Sequence, residues 1–204
     1  MTQAAARMIA ATFRSVGINA RITPPSDART LELGAMYSQG DECLPKKITL
    51  GDYLKITEAE GFDASRTAFV MPTAHGPCRF GQYWPALESV LTQRKLDDVM
   101  IVNPNSSDGY ESIGGLGLTF YRTAWTSLVA SDIMRKMLLK TRPYERVSGT
   151  TDRVYEDALV DLERVLETPG LSYRTRIKQT RGSLIRSRDA FRATQAEYVK
   201  TRPK

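Results

Sequence analysis

The chain has 204 residues, of which 41% are hydrophobic and 25% charged, with a net charge of +6. This composition excludes a disordered chain and suits one domain of ordinary core size with an appendage, or two small domains. No apolar run approaches the roughly 18 residues that span a bilayer, and no secretory apolar core is present, so a cytoplasmic location and no membrane partner are expected.

Residues 3–16 predict an amphipathic helix, with Ala4, Met8, Ala11, Phe13 and Val16 near helical spacing. The first 26 residues hold three arginines and no acid, which also describes a transit peptide. The helix is the preferred reading because Gly17 ends it and a predicted strand, 18–23, follows up to Pro24-Pro25. Ser26 or Asp27 then caps a helix over 29–37. A third helix is predicted over 45–58, with Ile48, Leu50, Leu54 and Ile56 as its apolar positions. Residues 67–71 (TAFVM), bounded by Pro72, suit a buried strand. A helix over 83–96 leads to a further strand, 99–102, and then to a loop rich in Pro, Asn, Ser and Gly over 103–117. Helices over 118–140, 152–166 and 173–198 complete the chain.

This alternation predicts an α/β fold, with a small parallel Rossmann-like sheet flanked by helices in residues 1–117 and a helical extension over 118–204. In such sheets the loops at the C-terminal ends of strands carry the ligand, which singles out 73–80 and 103–117.

The only two cysteines lie in similar settings, Gly40-Asp41-Glu42-Cys43-Leu44-Pro45 and His75-Gly76-Pro77-Cys78-Arg79-Phe80-Gly81-Gln82-Tyr83. Each follows a Gly within three residues, has a Pro within two and opens a predicted helix. Unpaired N–H groups and the positive dipole end at a helix N-terminus favour thiolate over thiol, the form that binds metal or attacks an electrophile. Two cysteines are not a disulfide framework, and they cannot fill an iron–sulfur or zinc site alone, so metal, redox and packing roles all stay open. His75, the only histidine, is three residues from Cys78 and would need a tight turn to act as its base. Asn103-Pro104-Asn105 and the glycines up to Gly117 resemble a ligand loop, with turn chemistry as the alternative. Gly114-x-x-Gly117 is too short for a dinucleotide fingerprint, and no GxxxxGK[ST] phosphate loop occurs. Residues 174–204 carry ten Lys/Arg against two acids, a stripe suited to docking on an acidic partner. Only Phe191 and Tyr198 interleave it and no nucleic-acid signature is visible, so nucleic acid is not expected.

Taken together, LELGAMYSQGDECLPKKITLGDYLK (31–55), TAFVMPTAHGPCRFGQY (67–83), NPNSSDGY (103–110) and RPYE (142–145) resemble one family. They are similar to the 2-hydroxyacyl-CoA dehydratase-type iron–sulfur proteins, in particular to the dehydratase-like region of the large CoA-substrate-specific enzyme activases. The resemblance covers nearly the whole chain. It implies Rossmann-like α/β domains that hold an oxygen-sensitive cluster, of the 4Fe–4S type or larger, on cysteines from separate loops. Cys43 and Cys78 match motif cysteines and would be cluster ligands. The other ligands would come from a partner α/β domain or subunit, which makes the chain one segment of a longer multidomain protein. The resemblance further implies an ATP-hydrolysing activator, low-potential electron transfer for radical dehydration or reduction, a possible acyl-CoA substrate and an anaerobic setting. With no phosphate loop here, ATP hydrolysis does not carry over, and neither an acyl-CoA pocket nor a catalytic residue is identifiable. The competing expectation is a truncated, non-catalytic domain that binds a protein partner through its basic C-terminal helix and keeps its cysteines for packing.

Overall fold

Capping side chains explain where several helices begin. In the computed structural model, which describes residues 2–74 and 76–195, α1 (Gln3–Arg14) is capped by Thr2, whose hydroxyl accepts the Ala5 N–H. Asp27 and Thr30 form a reciprocal capping box on α2 (Ala28–Met36), and Ser172 caps α7 (Tyr173–Thr194). Between them come α3 (Leu44–Thr57), β1 (Ala68–Val70), α4 (Tyr83–Gln93), β2 (Met100–Val102), α5 (Gly117–Thr141) and α6 (Thr150–Glu167).

The chain divides into two compact units. Thr23–Gly115 form one, and the segments on either side of it form the other. In the first, β1 and β2 pair in parallel with Ala68 opposite Met100 and Val70 opposite Val102, and α4 makes the crossover that parallel strands require. Phe69 of β1 packs in a core with Leu87, Val90 and Leu91 of α4, Leu33 of α2, and Leu50 and Leu54 of α3. Helices α2 and α3 cross with backbones almost touching. A Cβ on Gly34 would lie 1.9 Å from the Lys47 carbonyl oxygen, and one on Gly51 would lie 1.8 Å from that of Thr30. Only glycine fits at either point. The buried Thr30 hydroxyl adds a bond to Asp52 Oδ1 at 2.9 Å, tying the start of α2 to the middle of α3.

The second unit is helical. Ala4, Met8 and Ala11 of α1 meet Ala130 and Met134 of α5 and Leu159, Leu162 and Leu166 of α6. Arg7 and Arg14, about two turns apart on α1, converge on the Glu163 carboxylate at 2.8 and 2.7 Å. The Glu145 carboxylate of the RPYE stretch accepts the N–H groups of Gly149 and Thr151 at 2.8 and 2.9 Å, supplying the cap that Gly149 cannot give α6.

The parallel α/β pairing stands as expected, but the sheet has two strands among the described residues. Residues 18–23 are not a strand. They run irregularly, with Ile18 exposed and Arg14 donating to the Ala20 carbonyl, because among the described residues no neighbouring strand offers a ladder there. The expected division at 117/118 also differs from the observed one. The apolar stripe of α1 is filled by α5 and α6, so residues 1–22 group with the helices rather than with the sheet. Among the described residues no helix is long and apolar enough to cross a membrane.

Candidate thiolate site

The loop over 37–43 that joins α2 to α3 ends on Cys43. Gly40 turns it at φ +111°, a value that favours glycine. The Glu42 carboxylate gathers the loop by accepting the N–H groups of Gln39 and Gly40 and pairing with Lys46 Nζ, each at 3.0 Å. The Gln39 N–H, followed by Lys46, brings the Glu42 carboxyl down to about 2. Cys43 is the N-cap residue of α3, and its carbonyl accepts the Lys46 N–H. Its thiol makes no capping bond and instead lies 2.9 Å from the Tyr83 hydroxyl. That bond, then the Lys46 N–H and more weakly the Arg79 charge, hold the Cys43 thiol below its ordinary value against the opposing effect of burial.

Cys78 is exposed and caps a four-residue 3-10 turn, Arg79–Gln82, rather than an α-helix. Helix α4 begins only at Tyr83. The segment is folded closely on itself, since a Cβ on Gly81 would lie 2.7 Å from the Ala74 carbonyl oxygen. From this turn two side chains reach the first cysteine loop: Arg79 Nη1 donates to the Asp41 carbonyl at 2.8 Å, and Tyr83 meets the Cys43 sulfur. Burial, then the Cys43 bond, then the charges of Cys43 and Cys78, push the Tyr83 phenol up to about 12. Two cysteine segments far apart in the chain are thus joined around one phenol.

Beside Cys78, at the C-terminal ends of β1 and β2, lies a cavity of about 330 Å³ lined by Thr73, Cys78, Gln82, Trp84 and Asn103 among others. The Thr73 N–H donates to the Pro104 carbonyl, so the loops that follow the two strands meet there, where the sequence placed them. Further along, Asp108 Oδ1 accepts the N–H groups of Tyr110 and Glu111, and a 3-10 segment, Glu111–Leu116, leads into α5. Gly114 and Gly115 thus lie in the 3-10 segment, and Gly117, at φ +82°, is the first residue of α5.

Among the described residues no three His, Cys, Asp or Glu side chains gather into a metal-sized group. His75, and with it the proposed pairing with Cys78, lies outside the described residues. Of the basic stripe, Arg174, Lys178, Arg181, Arg186, Arg188 and Arg192 are exposed. Arg176 is buried and donates to the carbonyls of Leu166 and Thr168, closing the end of α6. Lys200, Arg202 and Lys204 lie outside the described residues.

The chain matches no protein-family model, no curated protein and no solved structure. Sequence reasoning did not single out Tyr83, Arg79 or Glu42 as parts of the site. Their only signal was membership of the two cysteine motifs, GDEC and GPCRFGQY.

Proposed function

We propose that the chain is an iron–sulfur-cluster-binding domain with Cys43 and Cys78 as two of the ligands, acting in low-potential, ATP-driven electron transfer of the 2-hydroxyacyl-CoA dehydratase/activase type. The observation that carries this reading is the joining of the two cysteine segments by Arg79 and Tyr83, which ties the segment of Cys78 to the loop of Cys43 and favours thiolate at Cys43. The donor set fits a cluster in part. Two thiolates leave ligands outstanding, and a partner α/β domain or subunit of the same system supplies them. On this reading the βαβ unit is the surviving half of a Rossmann-like arrangement, and the cavity at its strand ends takes the group that the cluster reduces, an acyl-CoA being the candidate. A bound cluster supplies one-electron chemistry at low potential. The chain's own residues hold the ligand loops, through Glu42 and Arg79, and shape the cavity. A separate ATP-hydrolysing activator delivers the electron, in the cytoplasm of an anaerobic cell.

The test is iron and acid-labile sulfide bound per chain after anaerobic reconstitution with an excess of a small thiol, which stands in for the outstanding ligands. Stoichiometric iron in the parent, lost in both Cys43→Ala and Cys78→Ala, supports the reading. Absence of iron from the parent contradicts it. The six exposed basic side chains along α7 favour a second reading, a non-catalytic domain that docks on an acidic protein partner. That reading predicts salt-sensitive partner binding that survives both cysteine substitutions.

A further inference from the structure

We infer that the outward face of α5 is a dimer interface. A second copy of this chain lies antiparallel on it, about a two-fold axis at the level of Ser127, and Arg122 of each copy pairs with Asp132 of the other. The surface belongs to the helical unit and involves neither cysteine.

Helix α5 buries one side, with Ala130 and Met134 packed in the core shared with α1 and α6. On the other side Leu118, Trp125 and Val129 are 61%, 46% and 57% exposed, a row of large apolar side chains of the kind that marks an interaction surface. Together with Arg122, Asp132 and Lys136 they recur at alternating steps of four and three residues, the spacing of a seam along which two helices pair. The charges on this seam fix its occupant. A parallel copy would set Arg122 against Arg122, Asp132 against Asp132 and Lys136 against Lys136, with like charges at every polar position. An antiparallel copy centred on Ser127 sets Arg122 against Asp132 on both sides of the axis and Trp125 against Val129. Lys136 then falls opposite Leu118, where its methylene stem covers apolar surface and its charge stays in water. Sliding the pair by one heptad either way leaves Asp132 opposite Val129 or Gly115. Each chain thus supplies both halves of two charge pairs, the self-complementarity that a two-fold interface requires. Arg122 and Asp132 are exposed, and neither has an ion-pair partner among the described residues. The Tyr173 ring, 5.7 Å from the Arg122 guanidinium carbon, steadies that side chain at the edge of the seam.

The test is sedimentation equilibrium of the full chain from low micromolar to near-millimolar concentration, with reductant present so that no disulfide between copies contributes. The parent is expected to form a dimer. Arg122→Asp and Asp132→Arg each set like charges opposite one another at both pairs and are expected to weaken the dimer about 10-fold or more. The double variant, Arg122→Asp with Asp132→Arg, restores the parental dissociation constant to within a few-fold. Val129→Asp, with a charge in the apolar centre, is expected to leave monomers. The replaced side chains are exposed, so circular dichroism should report the parental helix content in every variant. A parent that stays monomeric throughout overturns the interface. So does a dimer that Val129→Asp leaves intact, because it uses another surface. Single charge reversals that cost nothing, or that the double variant fails to rescue, overturn the pairing of Arg122 with Asp132 and the antiparallel register with it.

Discussion

Replacing Gly51 with alanine tests the helix crossing that delivers Cys43 to the site. The added Cβ would lie 1.8 Å from the Thr30 carbonyl oxygen and 2.7 Å from its carbonyl carbon, backbone atoms that no rotamer change can move. Reaching ordinary contact opens the α2–α3 crossing by about 1.6 Å, enough to forfeit half or more of the dispersion between the facing atoms. Overpacking of this kind costs about 1–3 kcal/mol, and the rigidity of the clash places it at the upper end. Alanine's better helix propensity offsets about 1 kcal/mol. The net expectation is a destabilisation of about 2 kcal/mol or more. Urea unfolding followed by Trp84 fluorescence, in a Trp125→Phe background so that only the first unit reports, measures it. Gly114→Ala, where a Cβ would meet nothing within 4 Å, serves as the control and is expected to change stability by less than about 0.5 kcal/mol. A Gly51→Ala chain as stable as its parent, or a control that costs as much, refutes the reasoning.

The Glu42 carboxyl titrates at about 2 in the folded chain against an ordinary 4.5, so its bonds stabilise the Cys43 loop fully above pH 4.5 and are lost as the pH falls through about 2. The amide resonances of Gln39 and Gly40 should therefore titrate with that low midpoint, and a midpoint near 4.5 would show that the carboxylate does not hold them. In the helical unit, Glu163→Ala leaves two partly buried arginines without their shared partner and should cost about 1–2 kcal/mol, between the values for exposed and for fully buried pairs. Its thermal midpoint, compared with that of Glu156→Ala at the more exposed end of the network, checks the figure, and equal losses in the two variants would contradict it.

Helices carried by local signals were legible in the sequence. Asp27 at a cap position and the apolar spacing of Leu50 and Leu54 placed α2 and α3 to within a residue or two. The loops at the strand ends were legible for the same reason, since Pro72 and Pro104 stop the strands where they do. Residues 18–23 misled because two isoleucines before a Pro-Pro pair look like a strand whether or not a partner strand exists, and strand formation is decided by that partner. The destination of α1 was illegible because an alanine-rich stripe packs equally well on a sheet or on helices. Tyr83 escaped notice because its bond to Cys43 spans 40 residues, and no periodicity reports a contact at that separation. The cysteine settings were read as two matching helix starts. The structure keeps that reading for Cys43 and replaces it with a short 3-10 turn for Cys78.

The central claim is that Cys43 and Cys78 act as one metal-binding site, and alkylation footprinting tests it most directly. The full chain, reconstituted with iron and sulfide or left metal-free, is treated anaerobically with iodoacetamide, and modification at each cysteine is read by mass spectrometry. The account predicts that both cysteines react in the metal-free chain and that both are protected together, in proportion to bound iron. Protection of one without the other, or of neither while iron is bound, would contradict it.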